Sequence, residues 1–218
     1  IDRLSVRFGS STVVDQVSFS VAAGEKFALV GESGSGKSIT ALSVLRLVDA
    51  AVSSGAIRFD GEDLMQKSER QMRGIRGARI GMIFQEPMTA LNPLYTVGNQ
   101  IVEVLALHEA LRSNAARARA IELLHRTGIP DPEDKVDAYP HQLSGGQRQR
   151  IMIAMALILG PSLLIADEPT TALDVTTQAQ TLKLIKELQT ERGTGVLFIT
   201  HDFGVVAEIA DRVAVLKH

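Results

Sequence analysis

Residues 26–48 constrain the fold more than any other part of the sequence. Residues 26–30 form a continuous apolar run after the first position, which is typical of a buried parallel strand, and residues 38–48 have the apolar spacing of a helix. Between them, residues 31–38 (GESGSGKS) match the spacing G-x-x-x-x-G-K-[ST]. A glycine-rich turn leading into a helix aims backbone N–H groups and the positive end of the helix dipole at one point. The segment therefore predicts an α/β chain with a polyphosphate-binding loop.

Two side chains at the end of this loop carry the chemistry that a nucleotide needs. Lys37 is placed to reach the β- and γ-phosphates, and the Ser38 hydroxyl is placed to bind Mg²⁺. The alternative is a chance glycine-rich loop with no ligand. The strand before the loop and the helix after it favour the phosphate site.

A second apolar strand, residues 163–166, ends in two carboxylates, Asp167 and Glu168. In P-loop enzymes an aspartate at this place holds Mg²⁺ from the second coordination sphere or through water, and the adjacent glutamate can polarise a water molecule for attack on the γ-phosphate. The alternative is a strand end capped by solvated acids. The phosphate-binding loop upstream favours the functional interpretation.

Residues 143–147 (LSGGQ) form a second candidate anion-binding surface in front of a predicted helix that begins after Ser144 and runs to Leu159. Taken alone, the pentapeptide could equally be a helix cap. One nucleotide needs only one phosphate cradle, so a second cradle far away in the sequence suggests a two-fold dimer. In such a dimer, residues 31–38 of one subunit face Ser144 of the other across a shared ATP.

The remaining pattern predicts an α/β chain with an inserted helical region. Residues 1–30 alternate as strands, Asp60 and Gly61 form a hairpin turn, and residues 96–126 are helical in pattern. Strands and helices alternate again after residue 160, which indicates a mostly parallel sheet. We therefore expect one domain over residues 1–218, with a helical subdomain at roughly 86–160.

Composition excludes several classes of protein. The 218 residues include no cysteine, which excludes a disulfide framework, a thiolate zinc site and a cysteine nucleophile. The net charge of −2 argues against a nucleic-acid-coating protein. No apolar run approaches the ~20 residues of a membrane-spanning helix. The missing initiator Met and the stop just after a strand-like run predict that the chain is cut from a longer one, with a truncated C-terminal end.

With these motifs in order, the sequence resembles the ATP-binding subunit of ATP-binding cassette (ABC) transporters. The order is the phosphate loop, Gln85, LSGGQ, the Asp167–Glu168 strand end, the triplet Ala172-Leu173-Asp174 and His201. The residues in and around these motifs resemble those of the oligopeptide/dipeptide importer branch, in residues 36–47 (GKSITALSVLRL), 84–93 (FQEPMTALNP) and 167–180 (DEPTTALDVTTQAQ). Residues 205–213 are also similar to glutathione-type importers and to double-cassette members of that branch.

The resemblance implies a P-loop NTPase (RecA-like) core, an N-terminal antiparallel β subdomain and an inserted α-helical subdomain. It implies that Phe8 stacks on adenine, that Glu168 is the general base, and that Gln85 and His201 sense the γ-phosphate. The implied Mg²⁺ residues are Ser38, Gln85 and Asp167. The implied nucleotide-contacting residues are Phe8, Gly31, Glu32, Ser33, Gly34, Ser35, Gly36, Lys37, Ser38, Ile39, Ser144, Gly145, Gly146, Gln147 and Asp174. For Phe8, a place in the core of a strand remains the alternative, and Asp174 is expected at the dimer seam.

The resemblance further implies an ATPase that powers a peptide importer through ATP-driven closure of a homo- or heterodimer. The expected partners are a second ATPase, transmembrane permease subunits and, indirectly, a substrate-binding protein, with no nucleic acid. The expected location is peripheral, at the cytoplasmic face of the bacterial inner membrane. The alternatives are half of a double-cassette importer for glutathione or another small substrate, a soluble ATPase acting on DNA or ribosomes, a nucleotide-binding module without activity, and an exporter cassette.

Overall fold

The computed structural model describes residues 1–49, 51–85, 90–109, 111, 113–170 and 175–217. Within these residues the strands are β1 (Asp2–Phe8), β2 (Ser11–Val17), β3 (Lys26–Gly31), β4 (Val52–Ala56), β5 (Arg58–Phe59), β6 (Glu62–Asp63), β7 (Ile80–Ile83), β8 (Leu163–Asp167), β9 (Gly195–Thr200) and β10 (Arg212–Leu216). The α-helices are α1 (Lys37–Val44), α2 (Glu69–Arg73), α3 (Val97–His108), α4 (Ser113–Arg126), α5 (Pro132–Lys135), α6 (Gly145–Leu157), α7 (Val175–Arg192) and α8 (Phe203–Ile209). Among them, none is both long enough and apolar enough to cross a lipid bilayer.

Five parallel strands form the central sheet, in the order β10-β3-β9-β8-β7. All six residues of β9 are buried, as expected for a strand covered on both faces. The order places β3 and β8 on either side of β9, so the loops that follow these strands lie at one edge of the sheet. The mostly parallel sheet predicted from the sequence is confirmed.

A smaller antiparallel sheet, in the order β2-β1-β4, forms the N-terminal layer. The hairpin β5-β6 follows it, and its two turn residues, Asp60 and Gly61, have φ of 49° and 80°. Positive φ at both central positions matches the right-handed twist of the flanking strands. The antiparallel layer and the Asp60-Gly61 turn are as predicted.

Three clusters of buried apolar side chains hold these layers together. One lies between the sheet and α6 and α7, one lies between the sheet, α1 and the antiparallel layer, and one lies within the helical region. Helix α6 belongs to two of them, because Met152 and Ile153 pack in the first cluster while Ile151 and Ala154 pack in the third. This helix therefore joins the helical region to the central sheet as one rigid element.

The first predicted helix ends earlier in the structure than the sequence pattern indicates. Helix α1 ends at Val44 instead of Val48, because Arg46 adopts a left-handed conformation (φ 53°) and the Leu47 N–H bonds the Leu42 carbonyl at 2.9 Å. This is the closing hydrogen bond of a Schellman motif, which usually needs glycine where Arg46 stands. The predicted helical pattern over residues 96–126 corresponds to two helices, α3 and α4.

Candidate functional site

The phosphate loop, residues 31–38, connects β3 to α1, as the sequence predicts. Its backbone lies close to neighbouring strands, since a Cβ on Gly31 would approach the Leu216 carbonyl oxygen to 2.5 Å. A Cβ on Gly36 would lie 2.7 Å from the Val13 carbonyl oxygen, and Gly36 has φ of 89°. A side chain at either position would need the backbone to shift. The glycines therefore allow the loop to curve tightly against the sheet.

Lys37 lies inside this loop with 6% of its surface exposed. Its Nζ donates hydrogen bonds to the carbonyl oxygens of Gly31 (2.8 Å) and Glu32 (2.7 Å). Ser35 Oγ is at 3.5 Å. The ammonium group is thus held by oxygens of the loop itself, with its positive charge in the concavity that the glycines create.

Ser38 and Asp167, 129 residues apart in the sequence, meet at the edge of the sheet. Ser38 Oγ donates a hydrogen bond to Asp167 Oδ1 at 3.1 Å. Burial, together with the nearby Glu168 carboxylate, raises the pKa of Asp167 above its usual range, while the Ser38 hydroxyl and the Lys37 charge oppose the rise. A cation at this position would relieve the cost of ionising Asp167.

The Ser38–Asp167 pair fits Mg²⁺, although the described residues contain no group of three or more His, Cys, Asp or Glu side chains with metal-binding geometry. A hydroxyl and a carboxylate are hard oxygen ligands. Mg²⁺ commonly takes only one or two protein oxygens and completes its shell with water and substrate phosphate. The residues present therefore suit a metal that is shared with a nucleotide.

Glu168 has a strained backbone. Its φ is 46°, which is unusual for a residue with a side chain, and it precedes Pro169, a neighbour that favours an extended conformation instead. Conformations of this kind cost on the order of 1–3 kcal/mol and persist only where the surroundings impose them. Here the Glu168 N–H bonds the Ile199 carbonyl at 2.8 Å, which ties the residue to β9.

The carboxylate of Glu168 contacts two of the predicted site residues. His201 Nδ1 lies 2.9 Å from Glu168 Oε1, and Gln85 Nε2 lies 3.5 Å from Glu168 Oε2. The Glu168 side chain is 12% exposed and that of His201 is 62% exposed. Gln85 follows β7 and His201 follows β9, so the carboxyl ends of neighbouring strands bring the three side chains together.

The LSGGQ segment begins helix α6 with a complete capping box. Ser144 Oγ accepts a hydrogen bond from the Gln147 N–H at 3.3 Å, and Gln147 Oε1 accepts one from the Ser144 N–H at 3.0 Å. Ser144 and Gly145 are exposed. The N-cap predicted at Ser144 is confirmed, and the helix ends at Leu157, two residues before the predicted end.

The other predicted site residues are placed as follows. Phe8 ends β1 and pairs with Ser11 of β2; its ring is half-buried against the second apolar cluster. Ile39 packs partly against the same cluster. Asp174 lies outside the described residues. The structure thus brings together Lys37, Ser38, Gln85, Asp167, Glu168 and His201, while Ser144–Gln147 stand at the start of a different helix.

One buried polar contact of the site is not apparent from the motifs. The Gln149 side chain is 2% exposed, and its Nε2 donates a hydrogen bond to the Pro169 carbonyl at 2.6 Å. The signal that could have found it is positional, because Gln149 occupies a helical core stripe with Met152, Ile153 and Ala156. A polar residue in such a stripe needs a buried partner.

Comparison with known proteins agrees with the motifs. The model of the ABC transporter family matches residues 14–171. The dipeptide transport ATP-binding protein DppD of Bacillus subtilis is 56% identical over 95% of this chain, and DppD of Escherichia coli is 50% identical over 99% of it. These matches cover 63% and 68% of the two relatives.

Another relative, the peptidoglycan transport ATP-binding protein YejF of Agrobacterium fabrum, is 57% identical over 98% of this chain, which corresponds to 40% of that protein. The chain thus spans between about two fifths and two thirds of the length of the curated relatives it matches.

Solved structures have the same fold. The ATP-binding cassette MJ0796, solved as a dimer in a post-hydrolysis state bound to ADP and Pi, is similar with a TM-score of 0.83 and 29% identity, over 98% of this chain and 94% of that one. The cassette CbiO1 from Clostridium perfringens, part of the ABC transporter complex CbiONQ, also gives 0.83, with 32% identity over 100% of this chain and 83% of that one. The chain belongs to the ABC transporter family and is one of its ATP-binding cassettes.

Proposed function

We propose that this chain binds and hydrolyses ATP to power an ABC importer, most directly one for oligopeptides or dipeptides. The observation that carries the proposal is the juxtaposition of the buried Lys37 ammonium, the Ser38–Asp167 pair at 3.1 Å and the Glu168 carboxylate at one edge of the sheet. Relatives named as dipeptide and oligopeptide transport ATP-binding proteins, at 50–56% identity, support the substrate class.

The loop of residues 31–38 binds the triphosphate. Its backbone N–H groups and the first turn of α1 provide donors for phosphate oxygens. Lys37 supplies the positive charge, exchanging its two backbone carbonyl partners for phosphate oxygens. Ser38 and Asp167, with Gln85, are the residues that would hold Mg²⁺. Mg²⁺ bound there would supply positive charge to offset that of the triphosphate.

Glu168 is the general base for hydrolysis. Its carboxylate accepts a proton from a water molecule whose oxygen attacks the γ-phosphorus, while the bond to the β–γ bridging oxygen breaks and ADP leaves. His201 contacts one oxygen of this carboxylate at 2.9 Å and Gln85 contacts the other at 3.5 Å, so the two side chains orient it. An imidazole at this exposed position can turn from Glu168 to the γ-phosphate once the nucleotide is bound.

Turnover requires a second cassette. Ser144 and Gly145 are exposed at the start of α6, so they are available to a nucleotide held by another subunit. A cassette of MJ0796 bound to ADP and Pi is dimeric, which supports the same arrangement here. We further propose that closure of the dimer moves transmembrane permease subunits at the cytoplasmic face of the bacterial inner membrane, and that a substrate-binding protein delivers the cargo.

The test is Glu168→Gln in the full chain. Glutamine keeps the size and can hydrogen-bond water, but it cannot accept the proton. We expect ATP binding to survive and hydrolysis to fall by roughly 10²- to 10⁴-fold. Uncleaved ATP should then hold two chains together, which light scattering or size exclusion would detect with ATP and not with ADP. A variant that binds ATP and remains monomeric at high concentration would disprove the shared site, and wild-type turnover would exclude Glu168 as the base.

A second candidate cargo is a fragment of peptidoglycan. The relative named as a peptidoglycan transport protein is 57% identical to this chain and is more than twice as long as the matched region. Such lengths agree with half of a double-cassette importer. ATP hydrolysis by the reconstituted importer, measured with dipeptides and then with peptidoglycan fragments, distinguishes the two cargoes. The preferred cargo is expected to stimulate hydrolysis more.

A further inference from the structure

We infer that Gln149 is a positioning residue that keeps Glu168 in its strained conformation through Pro169 and thereby links the catalytic carboxylate to helix α6. The inference rests on the proposed function for its catalytic consequence. Its structural part stands on contacts that do not depend on any ligand.

The first step is the strain at Glu168. A residue with a side chain at φ of 46° and followed by proline does not hold this conformation by itself. Two hydrogen bonds hold the backbone on either side of the Glu168 Cα. The Glu168 N–H bonds the Ile199 carbonyl at 2.8 Å on one side, and the Pro169 carbonyl accepts from Gln149 Nε2 at 2.6 Å on the other. Proline itself has no N–H to add a third.

The second step is burial. The Gln149 side chain is 2% exposed and Pro169 is buried, so water cannot replace the hydrogen bond between them. A buried carbonyl that loses its donor is left unsatisfied, and the segment is then expected to move until a new partner is found. The nearest carboxylate to follow such a movement is that of Glu168, one residue away.

The third step is the helix that carries Gln149. Ser144 caps α6, and Gln149 lies five residues further along, about 7.5 Å at the usual rise per residue. The helix packs in both the central and the helical apolar clusters from Ile151 onward, just beyond Gln149, and Leu143, just before Ser144, packs in the helical cluster. A shift of the exposed Ser144 end is therefore passed to Pro169 by a rigid element. In the dimer, contact of Ser144 with the partner's nucleotide would thus act on this subunit's own Glu168.

The molecule contains a matched control in Gln189 on α7. Its side chain is 6% exposed, and its Nε2 donates hydrogen bonds to the carbonyls of Gly24 (3.0 Å) and Thr194 (2.9 Å). Both glutamines are buried amides that hold backbone carbonyls. The partners of Gln189 lie at the opposite ends of the strands from Glu168. Removing the Gln189 amide therefore shows how the loss of such a hydrogen bond affects the protein when the candidate site is left unchanged.

The experiment compares Gln149→Met with Gln189→Met in the full chain. Methionine keeps length and volume and removes the donor. We expect Gln149→Met to lower kcat about 10- to 100-fold with KM for ATP little changed, because displacement of a catalytic group by about 1 Å has effects of this size. Native-state hydrogen exchange should also show faster exchange of the Glu168 amide. Gln189→Met should keep wild-type kcat and accelerate exchange only around Thr194.

A second variant covers the case in which Gln149→Met does not fold. Gln149→Asn keeps the amide and shortens the reach by one methylene, so its kcat and its Glu168 amide protection should lie between those of wild type and Gln149→Met. Unchanged protection of the Glu168 amide in a folded Gln149 variant overturns the inference, as does an equal loss of kcat in Gln189→Met. A wild-type chain that does not hydrolyse ATP would overturn the proposed function instead, and the exchange data would still decide the role of Gln149.

Discussion

The two segments predicted to bind anions, residues 31–38 and 144–147, differ in how far this chain alone completes the site. The phosphate loop is packed against the sheet, and its lysine is 6% exposed with two carbonyl partners within the loop. The segment beginning at Ser144 is an exposed helix start whose serine hydroxyl accepts a hydrogen bond from the Gln147 N–H of its own capping box. Under the proposed function, the first is a preformed binding site for one nucleotide. The second is then a preformed surface that contacts a nucleotide only when another subunit supplies it.

Removing the charge of the first segment should have the largest effect. Lys37→Ala removes the buried ammonium group that the carbonyls of Gly31 and Glu32 hold inside the loop. Because the positive charge that attracts the phosphates is lost, ATP affinity should fall roughly 100-fold or more. Isothermal titration with ATP measures this. Lys183→Ala, which removes an exposed lysine of α7, is the control and should bind as wild type. Equal losses in both variants would mean that general charge, and not the loop, attracts the nucleotide.

The second segment should behave in the opposite way. Ser144→Arg should leave ATP binding to the isolated chain nearly unchanged and lower turnover by on the order of 100-fold, because the surface serves the partner's nucleotide. Ser68 provides the control, since it caps α2 with the same capping box through Gln71. Ser68→Arg should lose similar stability and keep turnover. If Ser144→Arg loses binding together with turnover, both segments hold one nucleotide within one chain.

A finer test separates the metal from the phosphate within the first segment. Ser38→Ala should weaken ATP binding about tenfold in the presence of Mg²⁺ and hardly at all in EDTA, since only the hydroxyl that faces Asp167 is lost. Ser43→Ala removes a hydroxyl that bonds the Ile39 carbonyl on the same helix and is the control for helix effects. Equal weakening with and without Mg²⁺ would contradict the role assigned to Ser38.

The smallest expected effect concerns stability without ligand. The pKa of Asp167 is raised in the folded chain, so folding favours its protonated form, and stability falls as pH rises from the unfolded pKa through the raised one. Asp167→Asn removes this cost and should raise Tm at neutral pH by about 2–4 °C, as expected for about 1 kcal/mol in a chain of this length. Thermal scans across pH should show the gain disappear in acid. An Asp167→Asn variant that is less stable than wild type at neutral pH would show that ionised Asp167 does not destabilise the folded chain.

Local sequence determined the elements that carry the site. Three of them are short-range patterns: the glycine spacing of residues 31–38, the apolar run before Asp167 and Glu168, and the capping box that starts at Ser144. Each is specified by residues within a few positions of one another, through backbone freedom, burial or a local hydrogen bond. The hairpin at Asp60-Gly61 was predictable for the same reason, and the parallel sheet was predictable from the alternation of strands and helices along the chain.

Tertiary structure decided how these elements meet. The Ser38–Asp167 bond joins residues 129 positions apart, and the hydrogen bond from Gln149 to Pro169 joins residues 20 positions apart. The left-handed backbones of Glu168 and of Arg46, where glycine is usual, are also invisible in the local pattern, because the surrounding contacts impose them against residue preference. Short-range propensity thus specifies the parts of this cassette. Packing between distant segments alone places a carboxylate, a hydroxyl and an ammonium group at one edge of the sheet.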